Sequence, residues 1–252
     1  MVGSWGTRAA VVVGLVFAMI LTGGALTSCG QNDAALQVFA ASSLAGAFTE
    51  LAETFEEDHP DTEIRLNFAG SSSLREQIED GATVDVFASA NLAIVGQLLE
   101  SGALNNKPRQ LVANTIVLAV PASNPGQVSA PGDLQSDDLA IGACAAQVPC
   151  GELADQAVEA LGYDVAFDTR EPDVRSLAAR LEDEELDAGF VYRSDVVGSD
   201  GALIIAWDGS IDRTIYPIVA VDPESDRAGA FVDFATGPDG LAILEQWGFE
   251  RP

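Results

Sequence analysis

Basic side chains are scarce: across 252 residues, 12 Lys and Arg stand against 39 Asp and Glu, for a formal charge of −27. Phosphate backbones are met with clustered Lys and Arg, so this balance argues against a nucleic-acid partner. It also removes long-range attraction for a small anion, which a site in this chain would have to hold with local dipoles. Histidine occurs once, as His59 in the acidic stretch Glu56-Glu57-Asp58-His59-Pro60, and reads as a surface turn residue. With one histidine and three cysteines, no four-ligand zinc spacing exists. A G-x-S-x-G elbow is missing and His59 has no serine partner in view, which disfavours a hydrolase. No low-complexity linker divides the chain, and no period of about 20–50 residues marks a solenoid. What remains is 48% hydrophobic and only 7% aromatic, enough for one large domain or two small ones.

At the N-terminus, Arg8 precedes an apolar run from Ala9 to Leu21 that is short for a bilayer span. Leu26-Thr27-Ser28-Cys29 matches a bacterial lipobox, in which small residues admit the signal peptidase and the cysteine thiol takes a lipid. The expectation is a leader over residues 1–28, lipid on Cys29, and a polar tether over residues 29–35, placing the protein outside the cytoplasm on the cell membrane. Two other readings stand beside it: a plain transmembrane anchor extended through Leu26, and a secreted chain cleaved elsewhere. Assigning Cys29 to lipid leaves Cys144 and Cys150, which an oxidising compartment pairs as a disulfide; the alternative is two reduced thiols. Their spacing does not fit the C-x-x-C of a thiol oxidoreductase.

Short apolar runs then alternate with amphipathic helices, the pattern of an α/β fold with largely parallel sheets. Leu36 to Ala40 reads as a buried strand, followed by a helix from about Leu44 to Glu57 with Leu44, Ala47, Phe48, Leu51, Ala52 and Phe55 on one stripe. Ile64, Leu66 and Phe68 alternate in a second strand, with a turn over Gly70 to Ser73 and a helix from Leu74. Ser73 and Glu76 have capping-box spacing there. A third strand over Val84 to Ala88 precedes a helix from Leu92 to Leu99. Leu111 to Val120 reads as one long β run stopped by Pro121. The alternation restarts with a strand at Leu139 to Ala143, a helix carrying Leu153 to Leu161, and another opened by Pro172-Asp173. Strands at Ala188 to Tyr192, Leu203 to Trp207 and Ile215 to Val221 and two closing helices complete the chain.

Small or polar residues stand at several predicted helix mouths: Ser42-Ser43, Ser71-Ser72, Cys150-Gly151 and Asp173-Val174. First-turn N–H groups lack partners and carry partial positive charge, so such turns converging on one cleft make an anion site without Lys or Arg. Taken singly, each is equally well an N-cap, and the cap is the preferred reading for Ser42.

The stretches Val38-Phe39-Ala40-Ala41-Ser42-Ser43-Leu44, Phe68-Ala69-Gly70-Ser71-Ser72-Ser73-Leu74 and Gly81 to Ala90 resemble the periplasmic molybdate-binding proteins of ABC transporters. Val148-Pro149-Cys150-Gly151, Glu171-Pro172-Asp173-Val174-Arg175, Gly189 to Asp195 and the closing Trp247-Gly248-Phe249 extend the resemblance to nearly all of the chain after Leu36. It implies a two-lobed type II solute-binding fold with a two-strand hinge. The crossings fall near Asn114 to Ala119 and Ile215 to Val219, giving one lobe over residues 36–115 plus 218–252 and another over 116–217. It further implies an oxyanion, molybdate or tungstate, held through its oxygens with no direct metal ligand and no cofactor. Ser43 and Ser71 would supply hydroxyl and amide, Cys150 and Val174 backbone amides, and Tyr192 its phenol. Cys150 departs from the familiar alanine. Tyr192 read alone is as readily a core aromatic. Arg193 is placed outside the cage, paired with an acidic neighbour. The implied protein is not an enzyme but a monomeric receptor serving a membrane permease. A receptor of the same fold for sulfate or phosphate is the alternative, since donor spacing is not written in sequence.

Overall fold

A computed structural model describes residues 35–206 and 213–252. The expected leader, Cys29 and Trp207 lie outside the described residues. The first strand, β1 (Leu36–Ala41), alternates as its sequence dictates: Val38 and Ala40 enter one core cluster and Phe39 the other. A short 3-10 turn, Ser42–Leu44, leads into α1 (Ala45–Asp58), whose Ala47, Phe48, Leu51 and Phe55 are buried on one stripe. Beyond β2 (Ile64–Ala69) come α2 (Ser71–Glu79), β3 (Val86–Ala88) and α3 (Leu92–Ser101). The Asn91 side chain caps α3 by accepting from the Ile94 amide at 3.0 Å, and Gly102 ends it at φ 77°.

The long β run at 111–120 is two strands, β4 (Arg109–Asn114) and β5 (Ile116–Pro121), in different sheets. Apolar residues buried on both faces flank the break, and its mark in the sequence is the polar pair Asn114-Thr115. The second sheet holds β5 with β6 (Ile141–Cys144), β7 (Thr169–Glu171), β8 (Ala188–Tyr192) and β9 (Ala202–Ile205). The helices between these strands are α4 (Pro149–Leu161), α5 (Val174–Glu182) and α6 (Arg193–Val197). The chain rejoins the first sheet with β10 (Thr214–Ala220), ahead of the crossing expected at 215–219, and closes with α7 (Asp226–Ala235) and α8 (Pro238–Gln246).

The two five-stranded sheets share one plan. In the order β2-β1-β3-β10-β4, β1 runs parallel to β2 and β3, and β10 is antiparallel to its neighbours. In β7-β6-β8-β5-β9, β6 runs parallel to β7 and β8, and β5 is antiparallel to its neighbours. The first sheet is covered on one face by α1 and α7, where Phe231 meets Phe55 edge-on at 5.3 Å, and on the other by Leu74, Ile78 and Ile94 of α2 and α3. Among the described residues, no helix is long and apolar enough to cross a membrane.

Candidate functional site

The carboxyl ends of the parallel strands are where an open α/β sheet leaves room for a ligand. Here the two sheets turn those ends toward one recess of about 230 Å³, its open mouth included. Ser42 and Ser43 follow β1, Gly70 and Ser71 follow β2, Ala90 follows β3, Val148 to Cys150 follow β6, Asp173 and Val174 follow β7, and Tyr192 ends β8. Ser43, Ser71, Cys150, Val174 and Tyr192 are thus brought together from both sheets. Among the described residues, no Lys, Arg or His lines the recess.

Local folding aims backbone donors into it. Ser71 opens α2 and Val174 opens α5, and Cys150 occupies the second position of α4 after Pro149. First-turn amides have no acceptor within their own helix. The Asp173 carboxylate accepts the Ser176 amide at 3.0 Å, so the one acidic lining residue is occupied as a cap. The capping box expected at Ser73 and Glu76 is absent: α2 starts three residues earlier, with Gly70 as N-cap and its carbonyl accepting the Leu74 amide. Ser71 and Ser72 then spend their hydroxyls elsewhere. Ser42 makes no side-chain cap either; it is buried against the recess.

The hydroxyls are oriented from behind. Ser71 Oγ accepts the Ala90 amide at 3.0 Å, leaving its own proton free to point away. Ser43 Oγ lies 2.9 Å from the Tyr216 hydroxyl, and Asn114 Nδ2 donates to that phenol oxygen at 3.5 Å and to Ser194 Oγ at 2.8 Å. Either hydroxyl can donate in the Ser43–Tyr216 bond, and when Tyr216 donates, the Ser43 proton is free for the recess. Tyr192 is 1% exposed, and among the described residues its hydroxyl has no partner at ordinary hydrogen-bond geometry, only a looser contact with the Tyr216 hydroxyl, although a buried hydroxyl normally has a full bond. Its ring stands edge-on to Tyr216 at 5.8 Å. Burial holds both phenols well above the ordinary tyrosine range, so each is a neutral donor.

Tyr216, Asn114 and Asp195 were not among the expected site residues. Asp195 accepts the Tyr192 amide at 3.0 Å, and burial pushes its carboxyl up to about 8, aided by Asp173 and Glu182 and opposed by the Tyr192 hydrogen bond and by Arg175. Contacts across 173 and 102 residues reveal Tyr216 and Asn114, whereas Asp195 lies only three residues from Tyr192, at the N3 position of the helix that Tyr192 opens. Arg193 is exposed and does not line the recess, and among the described residues it forms no salt bridge. His59 is exposed at the end of α1, stacked on Phe55 at 3.9 Å. Cys144 and Cys150 are disulfide-bonded with Cα atoms 5.7 Å apart. Among the described residues, no His, Cys, Asp and Glu cluster suits a metal ion.

Residues 36–250 match the family of bacterial extracellular solute-binding proteins. The molybdate-binding protein ModA of Mycobacterium tuberculosis H37Rv is 33% identical over 255 aligned residues, covering 95% of this chain and 97% of the relative. Among solved structures, the periplasmic molybdate-binding protein of Azotobacter vinelandii superposes with a TM-score of 0.72 at 21% identity, covering 86% of this chain and 99% of that one. The sulfate-binding protein SubI of M. tuberculosis superposes at 0.74 with 13% identity, covering 85% and 86%. At such identities these structures speak for the fold alone.

Proposed function

Because the chain belongs to the bacterial extracellular solute-binding proteins and is the binding component of a molybdate ABC transporter rather than an enzyme, we propose that it holds molybdate or tungstate between two lobes, each built on one sheet. Ser43 and Ser71 donate hydroxyl and amide protons, Cys150 and Val174 donate amides, and Tyr192 donates its phenol proton. Extracytoplasmic, it captures the anion and passes it to a membrane permease as a monomer, held near that permease by lipid on Cys29.

The observation that carries this reading is the Tyr192 hydroxyl. Leaving a buried hydroxyl unpaired costs about 1–3 kcal/mol, a cost that a bound oxyanion would remove. Neutral donors suit a carrier, since fixed dipoles compensate a dianion without an ion pair that would resist release. They also read size: an anion too small to reach every donor leaves some unpaired, at about 1–3 kcal/mol each. Molybdate and tungstate, nearly equal tetrahedra, would bind alike.

The test is a melting-temperature screen of the purified chain against molybdate, tungstate, sulfate, phosphate and chromate. A ligand of the folded state stabilises by RT ln(1 + [L]/Kd). Molybdate and tungstate are expected to raise the melting temperature equally and well beyond sulfate. An equal shift with sulfate or phosphate would replace the proposed ligand by the smaller oxyanion.

A further inference from the structure

The mouth of the recess is crossed by a direct bond between elements of opposite sheets. Ser72, in the first turn of α2, donates its hydroxyl to the Gln147 carbonyl at 3.1 Å. Beside it the Gly70 backbone presses on the other sheet's turn, where an added Cβ would lie 2.9 Å from the Pro172 carbonyl oxygen and 3.4 Å from Asp173 Cβ. The turn Gly70 to Ser72 therefore seats between the segments that open α4 and α5.

The acceptor side of this contact is fastened. Gln147 is exposed, but its loop is closed by the disulfide between Cys144 and Cys150, both buried. Inside it the Val148 amide donates to the Ala145 carbonyl at 3.0 Å, and the Gly151 amide just past it donates to the Val148 carbonyl at 2.9 Å. The Gln147 carbonyl thus has little freedom to turn away from Ser72.

We propose that the disulfide-closed loop 144–150 is a clasp: it presents the Gln147 carbonyl to Ser72, holds the two sheets together over the recess, and slows release of the anion. Ser72 and Gln147 are positioning residues that touch no ligand. The clasp rests on the anion-binding reading above. It acts on the closed population, and apparent affinity scales with the fraction of molecules in the competent state. Because the contact forms only on closure, its loss appears in the release rate.

The experiment follows release of radiolabelled molybdate into excess unlabelled molybdate. Ser72→Ala is expected to release about 2- to 10-fold faster than wild type, the span of one ordinary hydrogen bond, while Ser72→Thr keeps the hydroxyl and stays near wild type. The Cys144→Ala/Cys150→Ala variant retains the Cys150 amide and should also release faster. Adding Ser72→Ala to it should give no further acceleration, because the bond would already be lost. Wild-type release from Ser72→Ala, or effects that multiply in the combined variant, overturns the clasp. If the variant lacking the disulfide does not melt cooperatively, the Ser72→Ala and Ser72→Thr pair decides by itself. A wild-type protein that retains no molybdate overturns the anion reading and the clasp together, whereas normal retention with an inert Ser72 overturns only the clasp.

Discussion

Tyr192, buried at the recess, and Asp195, half-buried three residues further on, behave in opposite ways. The Tyr192 hydroxyl has only a loose contact with that of Tyr216, so Tyr192→Phe removes a donor whose full hydrogen bond a ligand would supply. A charge-assisted hydrogen bond contributes about 1.5–3 kcal/mol, so molybdate affinity should fall about 10- to 150-fold by calorimetry. The ligand-free melting temperature should hold or rise, because no protein hydrogen bond is lost; a large fall would mean that the hydroxyl has a structural partner. Asp195 is the reverse case, its carboxyl raised from 3.8 to about 8 mainly by burial. Between those values the folded state binds more protons than the unfolded one. The contribution of this group to stability is therefore greatest below about pH 4, declines as pH rises toward 8, and is flat beyond. Asp195→Asn, which still accepts the Tyr192 amide, should lessen that decline in melting temperature across the same range. An unchanged pH profile in the variant would assign the decline to other groups.

At the scale of elements, two glycines separate crowding from propensity. An added Cβ at Gly151, in the first turn of α4, would lie 2.0 Å from the Ala145 carbonyl oxygen and 2.7 Å from that of Cys144. Both oxygens are held in place, Ala145 by the Val148 amide and Cys144 by Arg170 at 3.0 Å. Gly151→Ala should cost about 1–3 kcal/mol in urea unfolding, as overpacking does. Gly96, inside α3, meets nothing within 4 Å, and Gly96→Ala should stabilise by about 0.5–1 kcal/mol through the entropy saved in the unfolded chain. Equal effects at the two sites would contradict the packing described for α4. Element identity was largely legible here, because α1 and α8 carry a period-3.6 stripe and β1 and β8 are short, largely apolar runs bounded by polar residues. Missed were β7, three residues long, and α6, five residues long, each too short to show a period. The start of α2 was placed late because serine suits both a cap and a first turn, and only the Gly70 carbonyl bond decides between them.

For the molecule as a whole, the charge of −27 and a recess without basic lining set an encounter rate that salt should increase. A dianion approaching a like-charged surface is repelled over a Debye length, about 10 Å at 0.1 M salt. Raising ionic strength from about 0.01 to 0.15 M shortens that reach from about 30 to 8 Å, so the association rate should climb while the release rate changes little. Stopped-flow binding at several chloride concentrations checks this. A rate that falls with salt would instead reveal a local positive field, with Arg175 and Arg193 the residues to examine.

The sequence by itself determined the α/β class, most strand and helix positions, and the presence of serine, small and acidic residues at successive helix starts, since these depend on local periodicity and capping chemistry. It also singled out Ser43, Ser71, Cys150, Val174 and Tyr192, through motifs in a fixed order along the chain. Tertiary structure alone decided that these residues share one recess, that β4 and β5 part at Thr115 into separate sheets, and that Tyr216 and Asn114 stand behind Ser43. It also decided that Ser72 reaches Gln147 across the mouth. The physical reason is range: a helix start is written within four residues of its cap, whereas a hydroxyl's partner is chosen by whatever the fold packs against it.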